Sequence, residues 1–228
     1  MLTIPYNTRF YLDNTSYIVL SKCPDNLLDY TDYNYDKLKA LIKTSNNKSS
    51  VMVFNKNYTH PELVEKNINR WYKSYLNTPE YPLLNINKSY MFSGINKNEI
   101  EHNLPLLFVP YFEYFKSIDS KYNQLVVNYY ENENDNIDYH RDWTYGMVKD
   151  YVISILNLNS KKNNANRVFE INNIINGKEY RIELHNGLVI TMGGDFQKNY
   201  RHGIPKISNN SIYNSRFGIT FRQFNMQK

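Results

Sequence analysis

The sequence predicts an α+β chain: helices and an irregular amino-terminal part, then an antiparallel β half that closes as a jelly roll or barrel. Three observations predict it. Apolar residues recur at helical spacing in stretches before residue 120. From residue 122 onward the pattern changes to short β-branched and aromatic runs. Asn- and Gly-rich punctuation separates those runs.

The elements follow in order. "NTRFYLDNTSYIVL" has room for short strands, and "YDKLKALIKTS" reads as a short helix. In "THPELVEKNINRWYKSYLN", Thr59 and Glu62 have capping-box spacing and Pro61 suits the first turn. Val64, Ile68, Trp71, Tyr72 and Tyr75 recur on one helical face, which predicts an amphipathic helix over 61–77 with its aromatics in the core. "TPEYPLLNINK" breaks regularity with two prolines. In "LPLLFVPYFEYFKSI", Pro110 suits a first turn, and Tyr111, Phe112, Phe115 and Ile118 suit the buried face of a second helix. Strands follow in "NQLVVNYY", "YVISILNL", "RVFEI", "EYRIELH", "LVITM" and "RFGITFRQF". Asn186-Gly187 between two of these runs predicts a hairpin. The polar loops "NSKKNNANR" and "ISNNSIYNS" need no function. With no repeat and no linker, one domain over 1–228 is expected.

Composition narrows the function. No apolar run of 18 or more residues occurs, so no membrane partner is expected. No secretory signal is visible at the start. A single cysteine, Cys23, excludes a disulfide framework and predicts an intracellular chain, cytoplasmic or nuclear. A monomer is expected. The net charge of +5 suits a polyanionic partner, but a solvated surface with a slight lysine excess explains it as simply.

The chemistry sits in "NYYENENDNIDYHRDWTYG", after the apolar run Gln124–Val127. His140 and Asp142 stand two apart, and extended backbone projects both from one side. A lone H-x-D is most often a surface pair. A metal needs a third ligand. His60, His102 and His185 each have a simpler turn or helix-start reading, whereas His202 in "NYRHGIPK" follows a strand and Gly-Gly, where a loop could return it to the strand ends. Two histidines and one carboxylate form the facial triad of non-haem Fe(II) oxygenases, which leaves three positions open. Those positions would take a bidentate co-substrate and dioxygen. Using 2-oxoglutarate as that co-substrate needs cationic anchors. In "RFGITFRQF", Arg216, Gly218, Thr220 and Arg222 share one face, and Phe217, Ile219 and Phe221 the other. Arginines on an inward face are costly unless each finds an anion.

Together the motifs resemble those of AlkB-type 2-oxoglutarate/Fe(II) dioxygenases. Asn128-x-Tyr130, Asp135-x-Ile137-x-x-His140-x-Asp142, His202-Gly203-Ile204-Pro205-Lys206 and the Arg216–Arg222 strand carry the likeness. "YMFSG" upstream, and "LHNGLVITMGG" between the ligands, are similar to the lid and hairpin of the nucleic-acid repair branch. The resemblance covers roughly residues 88–224. It implies a double-stranded β-helix core at 88–226, with a nucleotide-recognition lid, behind an extension at 1–87 whose helices pack on one sheet.

The resemblance further implies that His140, Asp142 and His202 hold Fe(II). Asn128, Tyr130, Arg216, Thr220 and Arg222 would bind 2-oxoglutarate. Tyr90, Phe92, Ser93, Trp143 and Arg167 would border the substrate, with Phe92 and the His140 ring stacking on a flipped base. Trp143 stands where close relatives carry an acidic residue, and Gly218 where the family often has Asn. The implied reaction is oxidative demethylation of 1-methyladenine- or 3-methylcytosine-type bases in DNA or RNA, with O2 consumed and formaldehyde, succinate and CO2 released. Two other readings remain: the same chemistry on a protein or other substrate, and an idle nucleic-acid-binding module with a structural metal.

Overall fold

The computed structural model describes residues 1–43, 53–55, 62–64, 70–76, 100–101, 104–144, 146–160, 165–206 and 213–225. In chain order the elements are β1 (Arg9–Tyr11), β2 (Ser16–Lys22), α1 (Asp25–Lys43), β3 (Val53–Asn55), β4 (Glu62–Val64), β5 (Trp71–Leu76), β6 (Ile100–Glu101), α2 (Val109–Ile118), β7 (Gln124–Tyr130), β8 (Ile137–His140), β9 (Ile153–Asn159), β10 (Val168–Asn173), β11 (Glu179–Glu183), β12 (Leu188–Gly194), α3 (Phe196–Asn199), β13 (Tyr200–Ile204) and β14 (Arg216–Arg222). A major sheet runs in the order β1-β2-β12-β9-β14-β7-β5-β6, and a minor sheet in the order β11-β10-β13-β8. β3 and β4 pair separately. Two sheets, antiparallel except for the parallel β5–β6 pair, surround one interior and make the expected jelly roll.

Two helices cover the outer face of the major sheet. Leu27, Thr31, Asn34, Leu38 and Ile42 form the buried stripe of α1. Tyr111, Phe112 and Phe115 do the same for α2, whose Pro110 sits in its first turn as expected. Ile118 departs from the expectation and is 60% exposed at the end of the helix, past the last buried position, Phe115. Leu27, Leu38, Ile42, Tyr111, Phe112 and Phe115 join Leu125, Val127, Tyr129, Phe217, Ile219 and Phe221 in one core cluster. The rings of Phe115 and Phe221 stack at 3.7 Å. So one face of β14 is wholly apolar and packed under helices, which turns its other face inward between the sheets.

Two sequence expectations are overturned. The helix over 61–77 does not form where the chain is described: Glu62–Val64 is a strand, and Trp71–Leu76 pairs with β7 from Trp71↔Tyr129 to Leu76↔Gln124. Ser74 and Tyr75 project to opposite faces and are both buried. A strand covered on both faces loses the alternation that would identify it, and its aromatics mimic helical spacing. Asn186-Gly187 does not close a hairpin. β11 pairs with β10 in the minor sheet, whereas β12 pairs with β2 and β9 in the major one. The turn therefore carries the chain from one sheet to the other, with Gly187 at φ +77°. Among the described residues, no helix is long and apolar enough to cross a membrane.

Candidate metal and co-substrate site

The site lies between the sheets. His140 is the last residue of β8, and Asp142 follows two residues on. His202 is inside β13, not in a loop, and pairs directly with His140 across the minor sheet. The ring centroids are 4.4 Å apart. Gly203 makes this approach possible: a Cβ there would lie 2.8 Å from the Ile137 carbonyl oxygen. One ligand atom from each of His140, Asp142 and His202 lies within 4.8 Å of the other two, and all three residues are buried.

The protonation states suit a divalent cation. Burial, with His202 nearby, pushes the His140 imidazole down to about 3, so it is neutral at pH 7. Burial also lowers His202. His140 Nδ1 lies 2.9 Å from the Asp138 carbonyl oxygen, which fixes a proton on Nδ1 and leaves Nε2 as the ligand atom. Burial would raise the Asp142 carboxyl, but Arg222 and the two histidines outweigh it and the net shift is downward. Arg222 Nη2 donates to Asp142 Oδ1 at 2.6 Å, and the Gln197 side-chain oxygen accepts from the Asp142 main-chain N–H at 2.8 Å. Asp142 Oδ2 is buried without a hydrogen-bond partner among the described residues and lies 3.8 Å from His202 Nε2. An orphaned carboxylate oxygen beside two neutral imidazoles fits Fe(II), whose borderline character takes N and O ligands together.

The cavity beside these ligands has a volume of about 540 Å³, its mouth included. Arg216, Gly218, Thr220 and Arg222 line it from β14, and Asn128 and Tyr130 from β7. The alternation in "RFGITFR" thus divides β14 between core and cavity. Arg216 is 2% exposed, and its guanidinium lies 4.1 Å over the Tyr130 ring. Its Nη1 donates to Asn157 Oδ1 at 2.8 Å, while its Nε has no hydrogen-bond partner among the described residues. Burial lowers its pKa to about 10. A buried cation with a spare donor and, among the described residues, no carboxylate against it suits one end of a dicarboxylate such as 2-oxoglutarate.

Of the remaining candidates, the described Arg167 and Trp143 do not line the cavity. Arg167 was expected to border the pocket, but its guanidinium is occupied by three carbonyl oxygens: Asn132 at 3.0 Å, Asp135 at 2.8 Å and Pro205 at 2.6 Å. It ties the β7–β8 loop to the segment after β13. Trp143 is 41% exposed and does not line the cavity. Tyr90, Phe92 and Ser93 lie outside the described residues. Sequence reasoning missed Arg70, which is 1% exposed and lines the cavity, because it sat inside the expected helix. It also missed Asn157, which resembles any other strand asparagine until Arg216 is placed beside it.

Residues 98–222 match the family described as the 2OG-Fe(II) oxygenase superfamily. No curated protein matches the sequence. Among solved structures, a Pseudomonas putida prolyl-4-hydroxylase superposes with a TM-score of 0.52 at 9% identity, over 91% of this chain and 92% of that one. OsALKBH1 superposes with a TM-score of 0.49 at 13% identity, over 94% of this chain and all (100%) of that one. At such identities the first likeness supports the jelly-roll fold alone. The family match spans His140, Asp142, His202, Arg216 and Arg222, and its members use Fe(II), 2-oxoglutarate and dioxygen. The chain therefore belongs to the 2OG-Fe(II) oxygenase superfamily.

Proposed function

We propose that this oxygenase removes methyl groups oxidatively from alkylated bases in DNA or RNA, of the 1-methyladenine or 3-methylcytosine type. The net reaction converts N–CH3, O2 and 2-oxoglutarate into N–CH2OH, succinate and CO2. The N–CH2OH group then loses formaldehyde and leaves N–H. Bound iron supplies the activation of dioxygen that C–H oxidation needs. The protein's part is to hold the reactants. His140, Asp142 and His202 would hold the metal, Arg216 one carboxylate of 2-oxoglutarate, and the apolar cavity walls would exclude water.

One observation carries the choice of substrate. The segment containing Tyr90-Met91-Phe92-Ser93-Gly94, whose sequence resembles a nucleotide-recognition lid, is bounded by β5 and β6. Leu76, the last residue of β5, lies in a row with Gln124 and Arg222, and Arg222 holds Asp142. β5 thus ends in the row of the sheet that holds the metal end of the cavity. A base must leave its stack to be oxidised, and a methyl group on its pairing edge lowers that cost. The net charge of +5 favours a polyanion.

A protein substrate is the second reading, favoured by exposed Trp143 beside Asp142 in the place of an acidic base-reading residue. The test is a panel of methylated DNA and RNA oligonucleotides, with formaldehyde and succinate measured separately for wild type and Phe92→Ala. Wild type should release formaldehyde from at least one oligonucleotide. Phe92→Ala should lose about 1–3 kcal/mol of base stacking while keeping substrate-free turnover of 2-oxoglutarate. Succinate without formaldehyde across the panel would reject the nucleic-acid reading in favour of protein.

A further inference from the structure

Arg70 precedes β5 and lies ahead of residues 98–222, the part of the chain that matches the family. It is nonetheless buried against the same cavity as His140 and Arg216. Burying a guanidinium is expensive, so its contacts are informative. Its Nε donates to Asn128 Oδ1.

That bond settles which way the Asn128 amide points. A carboxamide has an accepting oxygen and a donating NH2, whereas a guanidinium only donates. The oxygen must therefore face Arg70, and the NH2 group is turned away from it. Asn128 is half-buried and lines the cavity. An anionic ligand there can only accept, so it needs an amide presented by its nitrogen. The next residue in the same strand row, Gly218, brings no side-chain donor. A Cβ at Gly218 would meet Arg216 Nη1 at 3.5 Å, so the space beside the arginine stays open. Asn157 on the far side of Gly218 does not line the cavity, so Asn128 carries this row's polar contact with it among the described side chains, and Arg70 orients it.

We infer that Arg70 is a positioning residue of the co-substrate site: it pins the Asn128 oxygen so that the amide NH2 is offered to 2-oxoglutarate. The inference rests on reading Asn128 as a co-substrate contact. It also means that the region ahead of the family match completes the site.

The experiment is anaerobic calorimetric titration of the Fe(II)-loaded full chain with 2-oxoglutarate. It compares wild type, Arg70→Leu, Asn128→Ala, the double variant and Arg70→Lys. Arg70→Leu should weaken 2-oxoglutarate binding about tenfold without changing iron affinity, as expected for losing one charged hydrogen bond's worth of orientation. The double variant should bind no more weakly than Asn128→Ala alone, and Arg70→Lys should recover part of the loss by donating to the same oxygen. If the two single losses multiply in the double variant, Arg70 acts independently of Asn128 and the inference is overturned. Unchanged affinity in a folded Arg70→Leu overturns it too. Should Arg70→Leu fail to fold, Arg70→Lys and Arg70→Gln in both Asn128 backgrounds give the same cycle. If Asn128→Ala alone changes nothing, the reading of Asn128 fails, and the inference with it, whatever substrate the enzyme proves to oxidise.

Discussion

Arg222 Nη2 donates to Asp142 Oδ1 at 2.6 Å, so one oxygen of the carboxylate is committed and Oδ2 alone is left for a cation. The pair is buried, with side chains 3% exposed on each side. Removing one partner of such a pair strands a charge. Arg222→Met should therefore lower the stability of the metal-free chain by about 3–5 kcal/mol. It should also weaken iron binding about 10–100-fold, as losses of groups that orient metal ligands typically do. Chemical denaturation and iron titration check the two effects. An unchanged iron affinity would show that Arg222 does not orient Asp142.

Arg216→Ala should raise the Michaelis constant for 2-oxoglutarate at least about thirtyfold, because a buried carboxylate would lose a charge-assisted partner worth about 2–5 kcal/mol. Iron affinity should not move, since Arg216 holds Asn157 and Tyr130 and touches no metal ligand. Arg216→Lys should restore little, because an ammonium is a point charge and cannot lie flat on the Tyr130 ring. Steady-state succinate formation against 2-oxoglutarate concentration is the measurement.

Gly203→Ala tests the closeness of β8 and β13. The added methyl would meet the Ile137 carbonyl oxygen and the Asp138–Tyr139 peptide at 2.8–3.0 Å, all of them backbone atoms that cannot swing aside. The strands must separate, and His202 moves away from His140. Iron affinity should fall about 10–100-fold, with a lower melting temperature. A variant that binds iron normally would mean that the strand pair yields without moving the ligands.

Acid stability has one contribution away from the site. Burial alone would raise the Asp13 carboxyl, but N–H donors of Thr15 at 2.8 Å and Ser16 at 2.7 Å, with the Asn199 amide at 3.2 Å, outweigh it and hold the group at about 2. A depressed carboxyl binds fewer protons folded than unfolded, so its contribution is complete above the ordinary value of 3.8 and is lost as pH falls through about 2. The gap in unfolding free energy between wild type and Asp13→Ala should be constant above about pH 5 and narrow steadily below about pH 4. A gap independent of pH would assign Asp13 a purely geometric role.

The carboxy-terminal half was legible because its chemistry is local. "RFGITFR" alternates cleanly: Phe217, Ile219 and Phe221 found the helices, and Arg216, Gly218, Thr220 and Arg222 found the cavity. His140, Asp142 and His202 were found by residue type and order. The amino-terminal half was not legible in the same way. β5 became a strand through main-chain bonds to β7, a partner about 50 residues on that no local pattern at Trp71 announces. Misreading that stretch as a helix hid Arg70, whose role depends on lying beside Asn128. The Asn186-Gly187 turn obeyed its local chemistry, but where its two arms lead is set by the sandwich. The tie that Arg167 makes between two loops was not legible, because position in sequence cannot tell a ligand contact from such a tie.

β14 is the last strand in the chain order, yet it lies in the middle of the major sheet, between β9 and β7. As the polypeptide emerges during synthesis, β7 and β9 must therefore wait with open edges until residues 216–222 arrive. Pairings of such long sequence separation form slowly, and waiting edges invite aggregation. Arg216 and Arg222 arrive with that same strand, so the sheet closes and the cavity gains two of its arginines in one event. A nascent chain stalled before β14 would hold its two histidines and one aspartate without the arginine that bonds the carboxylate.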